Sequence, residues 1–457
     1  MEESQTMTNK KKSGNKLTTF TVPSTWNPVE EDLAITIDST TSLSKDEIIN
    51  QAYKFHKQGN ILEAIKYYKY SIKQNSNNPR VFSNYGVILK DIGKLREAEK
   101  AQRNAIKLKP DFADAHSNLG TILIDLGKIK EAEVSIRTAI KLNLNFAMAY
   151  TNLGNIYRNQ GKLEKAELLQ RKAIELKPDL AIAYSNLGNI LRERGKLKEA
   201  IISTQKAILL KDNFEDAYIN LSIFHYIIGE TNSALKNIIK ANSINPKAKK
   251  NKLLLKIIQK EKDQNIIKST RRNGRDNHIN QELESNPLII NREVEDDLIN
   301  TLYKMKARNQ EKFQGPTYGN AKGSDYQLFE KNDHIIKRIK EDLTKICSDS
   351  VNADIEIFDS FFTIFRSGGG LKSHNHLNEL DKVNELNLSS RKFSLVYYLS
   401  IGDQKCDEPG RLKLENPSKT ILPKKGMIII FPSERNHSVF YKGKKDRIII
   451  GVNFYKI

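Results

Sequence analysis

The sequence predicts a multidomain fold: an all-α superhelix of stacked helix pairs, followed by a mainly-β jelly roll with supporting helices. Three observations lead there. Six glycines recur every 34 residues, at Gly59, Gly93, Gly127, Gly161, Gly195 and Gly229, and a period of that length marks a helix–turn–helix array. Small residues hold the same register. Ala64, Ala98, Ala132, Ala166, Ala200 and Ala234 stand five places after each glycine, and Ser71, Ala105, Ala139, Ala173, Ala207 and Ala241 seven further on. Beyond Ile355 the pattern breaks into short apolar runs punctuated by glycine and proline, which reads as strands and turns.

Taken in order, residues 1–44 are polar and predict a disordered tail. Its basic stretch, Lys10 to Lys16, has no apolar run after it, so no signal peptide is expected. Residues 45–246 hold six repeats. Small residues at the crossing points let two antiparallel helices approach closely, and such pairs must stack to bury their apolar faces. The motif reads A-x-x-N-L-G-x-I, then G-K-x-x-E-A, then A-I-x-L-x-P; Ala183 to Ile190 and Gly195 to Ala200 spell the first two parts, and Ala173 to Pro178 the third. These residues resemble the tetratricopeptide repeat family, and the resemblance implies a tetratricopeptide superhelix over residues 45–246.

Residues 247–285 are read as a capping helix and a charged linker. Leu253, Leu254, Leu255, Ile257 and Ile258 would shield the last repeat, and the polar run from Asp263 to Asn286 would form the linker. Residues 286–457 form the second domain. Glu293 to Met305 and His334 to Cys347 carry helical patterns, and His334 is read as structural. Strands are expected at Ile355–Phe365, Phe393–Leu399, Arg411–Leu414, Met427–Phe431 and Arg447–Phe454, with Ile428 to Ile430 in the core. Several short strands at this spacing argue for a sandwich or double-sheet jelly roll.

Composition bounds the partners. The chain of 457 residues carries 75 basic against 55 acidic residues, a net charge of +20. The lysines are scattered over helix surfaces and no stacking aromatics interleave with them, so nucleic acid is not an expected partner. Cys347 and Cys406 are the only cysteines, which fits a reducing, cytoplasmic setting without a disulfide framework. No apolar run is long enough for a membrane span.

Asparagine obeys the same 34-residue rule: Asn50, Asn84, Asn118, Asn152, Asn186 and Asn220. All six occupy one position on the first helix of a repeat, so stacking would align them as a ladder on the concave face. A primary amide offers donor and acceptor together, and can grip a peptide backbone without reading its side chains. The expected partner is an extended polypeptide in that groove. Similar ladders belong to tetratricopeptide superhelices that hold polypeptides, such as those of the protein O-linked N-acetylglucosamine transferases. The competing reading is that asparagine is simply common in this chain, or that each amide bonds within its own helix.

The C-terminal half carries the chemistry. His374-Asn375-His376 follows the triple glycine Gly368-Gly369-Gly370. In a strand, residues i and i+2 share a face, so both imidazoles would reach one metal. His437 lies far downstream and Arg447 ten residues after it. Three histidines suit iron, with positions left open for a 2-oxo acid and dioxygen, and a guanidinium suits a carboxylate. The surrounding runs are Ser394 to Ser400, Pro409-Gly410-Arg411-Leu412, Pro423 to Ser433, His437-Ser438-Val439 and Asp446-Arg447-Ile448. In order and spacing they resemble the 2-oxoglutarate- and Fe(II)-dependent oxygenases, especially the prolyl-hydroxylase-like branch, over residues 355–457.

That resemblance implies a double-stranded β-helix and a dioxygenase that hydroxylates a substrate. It implies Fe(II) and dioxygen, 2-oxoglutarate as cosubstrate and ascorbate as a stimulant. His374 and His437 are carried over as iron ligands, Arg447 as the partner of the oxoglutarate carboxylate and Tyr398 as a hydroxyl donor to it. The chain departs from the family where a carboxylate usually follows two residues after the first histidine. His376 stands there as the third ligand, with Glu379 and Asp381 as alternative sources of the carboxylate. The rival reading is a non-enzymatic tetratricopeptide scaffold with a degenerate jelly roll.

Overall fold

The fold is that of a computed structural model, which describes residues 44–74, 76–268, 286–309, 317–378, 380–383 and 386–457. The expected tail, all but Ser44, and most of the expected linker lie outside the described residues. The chain divides into two compact units, one ending at Lys196 and one running from Leu197 to Ile457.

The first unit is built of helix pairs. Helix α1 (Lys45–Lys57) opens on a reciprocal cap: the Glu47 N–H donates to Ser44 Oγ at 3.3 Å, and the Ser44 N–H to Glu47 Oε2 at 2.7 Å. That arrangement satisfies two of the free donors at a helix start. Pairs follow as α1/α2 (Ile61–Lys73), α3 (Pro79–Asp91)/α4 (Leu95–Leu108), α5 (Ala113–Asp125)/α6 (Ile129–Leu142) and α7 (Ala147–Asn159)/α8 (Leu163–Leu176), then α9 (Ala181–Glu193). The repeat glycines sit in the turns at φ between 72° and 81°, a conformation that side-chain-bearing residues rarely adopt. The alanines are buried at the helix crossings. Gly120 on α5 shows how tight these are: a Cβ there would lie 2.3 Å from Cγ1 of Ile136.

The second unit contains α10 (Leu197–Leu210), α11 (Glu215–Ile227), α12 (Thr231–Ile244) and α13 (Lys249–Lys268), then the β-domain. Helix α13 follows the last repeat, with Leu253, Leu254, Ile257 and Ile258 buried. It runs to Lys268, past Asp263 where the sequence placed the linker, because no glycine or proline interrupts it. Its polar side meets the β-domain. Lys256 pairs with Glu356, Lys260 Nζ donates to Asp354 at 3.1 Å and to the Ile457 carbonyl at 2.9 Å, and Arg391 donates to Glu261 at 2.9 Å.

Twelve strands form two antiparallel sheets among the described residues. The seven-stranded sheet runs β1 (Leu288–Asn291), β10 (Met427–Pro432), β7 (Lys392–Ile401), β12 (Arg447–Lys456), β5 (Ile355–Phe365), β4 (Ala321–Gly323) and β2 (Arg308–Asn309). The five-stranded sheet runs β3 (Thr317–Tyr318), β6 (Gly369–His374), β11 (His437–Tyr441), β8 (Leu412–Leu414) and β9 (Lys419–Ile421). This is the expected jelly roll. Along β12, Ile448, Ile450, Val452 and Phe454 pack toward the helices Asp296–Lys304 and His334–Val351, in one core with Leu298, Ile336, Ile339 and Leu343. The alternate residues face the space between the sheets, as the period of two requires. There Ile449 joins Phe365, Tyr398, Leu412, Phe431 and Tyr441. Ile428 to Ile430 are fully buried.

The expected strands do not include β1, β2, β3, β4, β6, β9 or β11, although the i, i+2 argument places His374 in one. Gly368 is a turn residue at φ 83°, but Gly369 and Gly370 belong to the strand. A Cβ at Gly369 would lie 2.8 Å from the Asn320 carbonyl oxygen, so close backbone approach explains that glycine. Among the described residues no helix is long and apolar enough to cross a membrane.

Candidate metal centre and cosubstrate pocket

The two sheets enclose a cavity of about 220 Å³, and His374, His376, His437, Tyr398 and Arg447 all line it. His374 ends β6 and His437 begins β11, and the two are directly paired across the small sheet. Their ring centroids stand 4.3 Å apart. His376 does not lie on the strand, as the i, i+2 argument expected, but two residues beyond its end. It still turns inward, 4.9 Å by ring centroid from each of the other two. The possible ligand atoms of the three lie within 4.8 Å of one another. His376 Nε2 and His437 Nε2 are 3.2 Å apart. Two nitrogens each about 2.1 Å from one metal ion and at right angles stand about 3 Å apart, so this pair fits.

The outer nitrogens are tied down. His374 Nδ1 lies 2.8 Å from the Lys372 carbonyl and His437 Nδ1 3.3 Å from the Arg435 carbonyl. Donation by Nδ1–H to those oxygens leaves each Nε2 with a free lone pair, the tautomer that metal binding needs. The Asn453 amide nitrogen lies 3.5 Å from His376 Nδ1, and its oxygen accepts from Ser394 Oγ at 2.8 Å. A half-turn of that amide presents its oxygen to Nδ1–H and frees Nε2 likewise. Burial holds all three imidazoles below their ordinary pKa. His437 is pushed down to about 3, with the neighbouring His374 adding to the effect, and His376 is lowered well below 6.5 by burial and by both neighbours.

A neutral, desolvated cluster has a consequence for stability. The unfolded chain accepts protons near pH 6.5 where the folded one refuses them, so stability is complete above that pH and is lost as pH falls toward the folded values. The thermal midpoint of the metal-free protein should therefore drop between about pH 6.5 and 4, and His437→Gln should flatten the drop. A midpoint insensitive to pH in that window would contradict the buried neutral cluster.

Asp381 is not available as the missing carboxylate. It is buried, and its oxygens are taken by Lys392 and the Tyr455 hydroxyl at 2.8 and 2.7 Å. Glu379 lies outside the described residues. His334 begins a helix at an exposed position and takes no part in the cluster.

Arg447 is the first residue of β12 and only 1% exposed. Its guanidinium lies over the Tyr398 ring at 5.1 Å and the Phe365 ring at 5.9 Å, and Nη1 donates to the Gly410 carbonyl. Gly410, at φ 79°, has no room for a side chain there: a Cβ would fall 1.5 Å from Nη1. Arg447 Nε is buried without a partner in direct hydrogen-bonding geometry among the described residues, and the Tyr398 hydroxyl has the Arg447 guanidinium beside it. Burial lowers the Arg447 pKa and raises that of Tyr398. A buried cation with no carboxylate beside it, bonded to the Gly410 carbonyl and next to the Tyr398 hydroxyl, faces the cavity and suits an anion with acceptor oxygens. The residues present thus fit both a metal ion and a carboxylate cosubstrate. Sequence reading missed Asn453, Ser394 and Lys392, which surround His376; the period of two along β12 was the one available sign for Asn453.

The asparagines divide differently. Asn50 is exposed, and Asn84, Asn118, Asn152, Asn186 and Asn220 are half-buried. Asn84 hydrogen-bonds the Tyr68 hydroxyl, and Asn118 Nδ2 donates to Ser83 Oγ, one repeat back, at 3.3 Å. Asn186 Nδ2 is buried and has no partner among the described residues. Part of the ladder's hydrogen-bonding capacity is therefore spent inside the array.

Comparison with known proteins agrees with this architecture. Tetratricopeptide repeat models match residues 79–112, 113–146 and 145–211, and the 2OG-Fe(II) oxygenase superfamily model matches residues 361–455. No curated protein matches the chain. Among solved structures, the Cut9–Hcn1 hetero-tetramer of APC/C is 18% identical, with 47% of this chain covering 43% of that one at a TM-score of 0.45. TTC0263, a thermophilic TPR protein of Thermus thermophilus, is 21% identical over 40% of this chain and 98% of its own, at a TM-score of 0.37. A tetratricopeptide repeat protein of Parabacteroides merdae is 18% identical over 49% and 87%, at 0.43. The chain thus carries tetratricopeptide repeats within residues 79–211 and a domain of the 2OG-Fe(II) oxygenase superfamily over residues 361–455.

Proposed function

We propose that the β-domain is an Fe(II)- and 2-oxoglutarate-dependent hydroxylase, and that its substrate is a polypeptide recruited by the repeats. The observation that carries this reading is the meeting, in one cavity, of three neutral imidazoles with Tyr398 and with Arg447, a buried cation that has no carboxylate beside it. His374, His376 and His437 would hold the iron, while Arg447 and Tyr398 would hold the distal carboxylate of 2-oxoglutarate. Bound there, iron and cosubstrate would supply the oxidation: dioxygen gives one atom to a substrate C–H bond and one to succinate as 2-oxoglutarate loses carbon dioxide.

The chain's own part is placement and exclusion of water. Phe365, Leu412, Val439 and Ile449 give the cavity apolar walls. Arg447 is the one lysine, arginine or carboxylate among its described lining residues. No carboxylate is among those lining residues, so a cationic substrate group would find no counter-ion there, and burying it unpaired is unfavourable. The reacting group is therefore not a cation. The decisive experiment incubates purified protein with Fe(II), 2-oxoglutarate and ascorbate and measures succinate. Iron-dependent succinate supports the oxygenase; its absence, together with absence of metal binding, leaves the scaffold reading.

The repeats are proposed to hold an extended polypeptide through the amides of the ladder. Each lost amide should weaken binding by roughly 0.5–1.5 kcal/mol. Replacing Asn118, Asn152 and Asn186 together by alanine should reduce retained polypeptides in a pull-down read by mass spectrometry, with uncoupled succinate formation unchanged. Since Asn118 also bonds Ser83, the thermal midpoint is measured alongside. Identical retention by a folded triple variant would assign the ladder to the array's own cohesion.

A further inference from the structure

We infer that Lys392, acting with Asp381 and Tyr455, positions His376 as the third nitrogen of the metal-binding set; the inference rests on the reading of the three histidines as ligands. His374 and His437 are fixed by the ladder that pairs them. His376 lies beyond the strand, where no ladder sets its backbone. Its two backbone groups are held instead from one place. The N–H donates to the Ser433 carbonyl at 2.9 Å, and the Ser433 N–H donates to the Lys392 carbonyl at 2.9 Å. The His376 carbonyl accepts from Lys392 Nζ at 2.6 Å. Both routes return to Lys392.

The ammonium is itself immobilised. Lys392 is 1% exposed and Asp381 3%. Lys392 Nζ donates to Asp381 Oδ2 at 2.8 Å, and lies over the Phe358 and Tyr455 rings at 5.4 and 5.1 Å. Asp381 Oδ2 also accepts the Asn378 N–H at 2.8 Å, and Oδ1 accepts the Tyr455 hydroxyl at 2.7 Å. The carboxylate thus closes the loop after His376, and the ammonium joins that loop to β7. Stability alone is a poor reason for this pair, because buried ion pairs are often neutral or worse than apolar replacements. Its geometry gives a better one: Lys392 Nζ reaches the His376 carbonyl and Asp381 Oδ2 the Asn378 N–H, both on the segment that carries His376, while Tyr455 holds Asp381 from β12. A metal site needs its ligands held to within about 0.5 Å, and a loop ligand gains that only from such anchors.

The test uses the full chain and Co(II) as the probe. Lys392→Met alone would strand a buried carboxylate, so the informative variant is Lys392→Met/Asp381→Asn, which removes both charges. Its circular dichroism and thermal midpoint should stay near wild type, while its Co(II) dissociation constant should rise about 10–100-fold, the usual effect of losing support behind a ligand. The visible spectrum of bound Co(II) should change as well, which a purely structural pair would not cause. A folded double variant with wild-type affinity and spectrum overturns the inference. Should the double variant not fold, Tyr455→Phe decides: it removes the hydroxyl that donates to Asp381 and accepts from Asn378, so Co(II) binding about three- to tenfold weaker is expected, and an unchanged constant overturns it. Wild-type protein that takes up no Co(II) sinks both this inference and the ligand reading beneath it.

Discussion

His437→Ala should abolish succinate formation and weaken Co(II) binding by more than the roughly 100-fold that loss of an outer partner brings. The residue is 2% exposed, paired across the sheet with His374 and 3.2 Å by Nε2 from His376. Removing it leaves two nitrogens from one short segment, which hold a metal ion far less well than three that converge. The fold should survive. The ring packs edge-on against Phe431 at 5.0 Å, and its loss leaves a small cavity worth about 1–3 kcal/mol. Isothermal titration with Co(II), read beside circular dichroism, separates the two effects. Retained metal affinity and turnover in a folded variant would remove His437 from the site.

Arg447→Met should weaken 2-oxoglutarate by roughly 2–5 kcal/mol, the range for truncating one partner of a buried charge pair. That corresponds to roughly a 30- to 4,000-fold rise in dissociation constant. The same substitution should leave the ligand-free protein as stable as wild type or more so. Arg447 is a buried cation with no carboxylate beside it, which is an unfavourable state until an anion arrives. The unbranched methionine keeps contact with the Tyr398 and Phe365 rings. Two measurements on one variant, oxoglutarate titration and the metal-free thermal midpoint, therefore move in opposite senses. Loss of stability with unchanged oxoglutarate affinity would make Arg447 a structural residue.

The sequence revealed most where one side chain type recurs for one physical reason. Each turn glycine needs positive φ, and each crossing alanine needs small volume, so a period of 34 exposed the array. Strands buried on both faces, such as Met427–Pro432, appeared as unbroken apolar runs. What escaped was short or polar. His437–Tyr441 alternates over five residues only, and Gly369-Gly370 reads as a turn although it is a strand. Spacing paired only His374 with His376, the family resemblance added His437, and the loop placement of His376 was not anticipated. Lys392 was invisible for a different reason. A lysine next to Arg391 reads as surface charge, and nothing in the chain says that Asp381, eleven residues earlier, meets it in the interior. Charge burial is a tertiary property, and local pattern carries no record of it.

The seam between α13 and the β-domain bears on how such a chain can be recombined. Lys260 grips the far end of β12 through Asp354 and the Ile457 carbonyl, while Arg447 opens the near end of that same strand. A crossover at the charged stretch after α13 would separate the strand that carries Arg447 from the helix that contacts its far end. It would also leave Ile257 and Ile258 uncovered on one product if the cut fell within α13. The natural module for exchange among proteins is then longer than the oxygenase match. It includes α13 and the helices before it in the same compact unit, so a transplanted β-domain should travel with the last piece of its own solenoid.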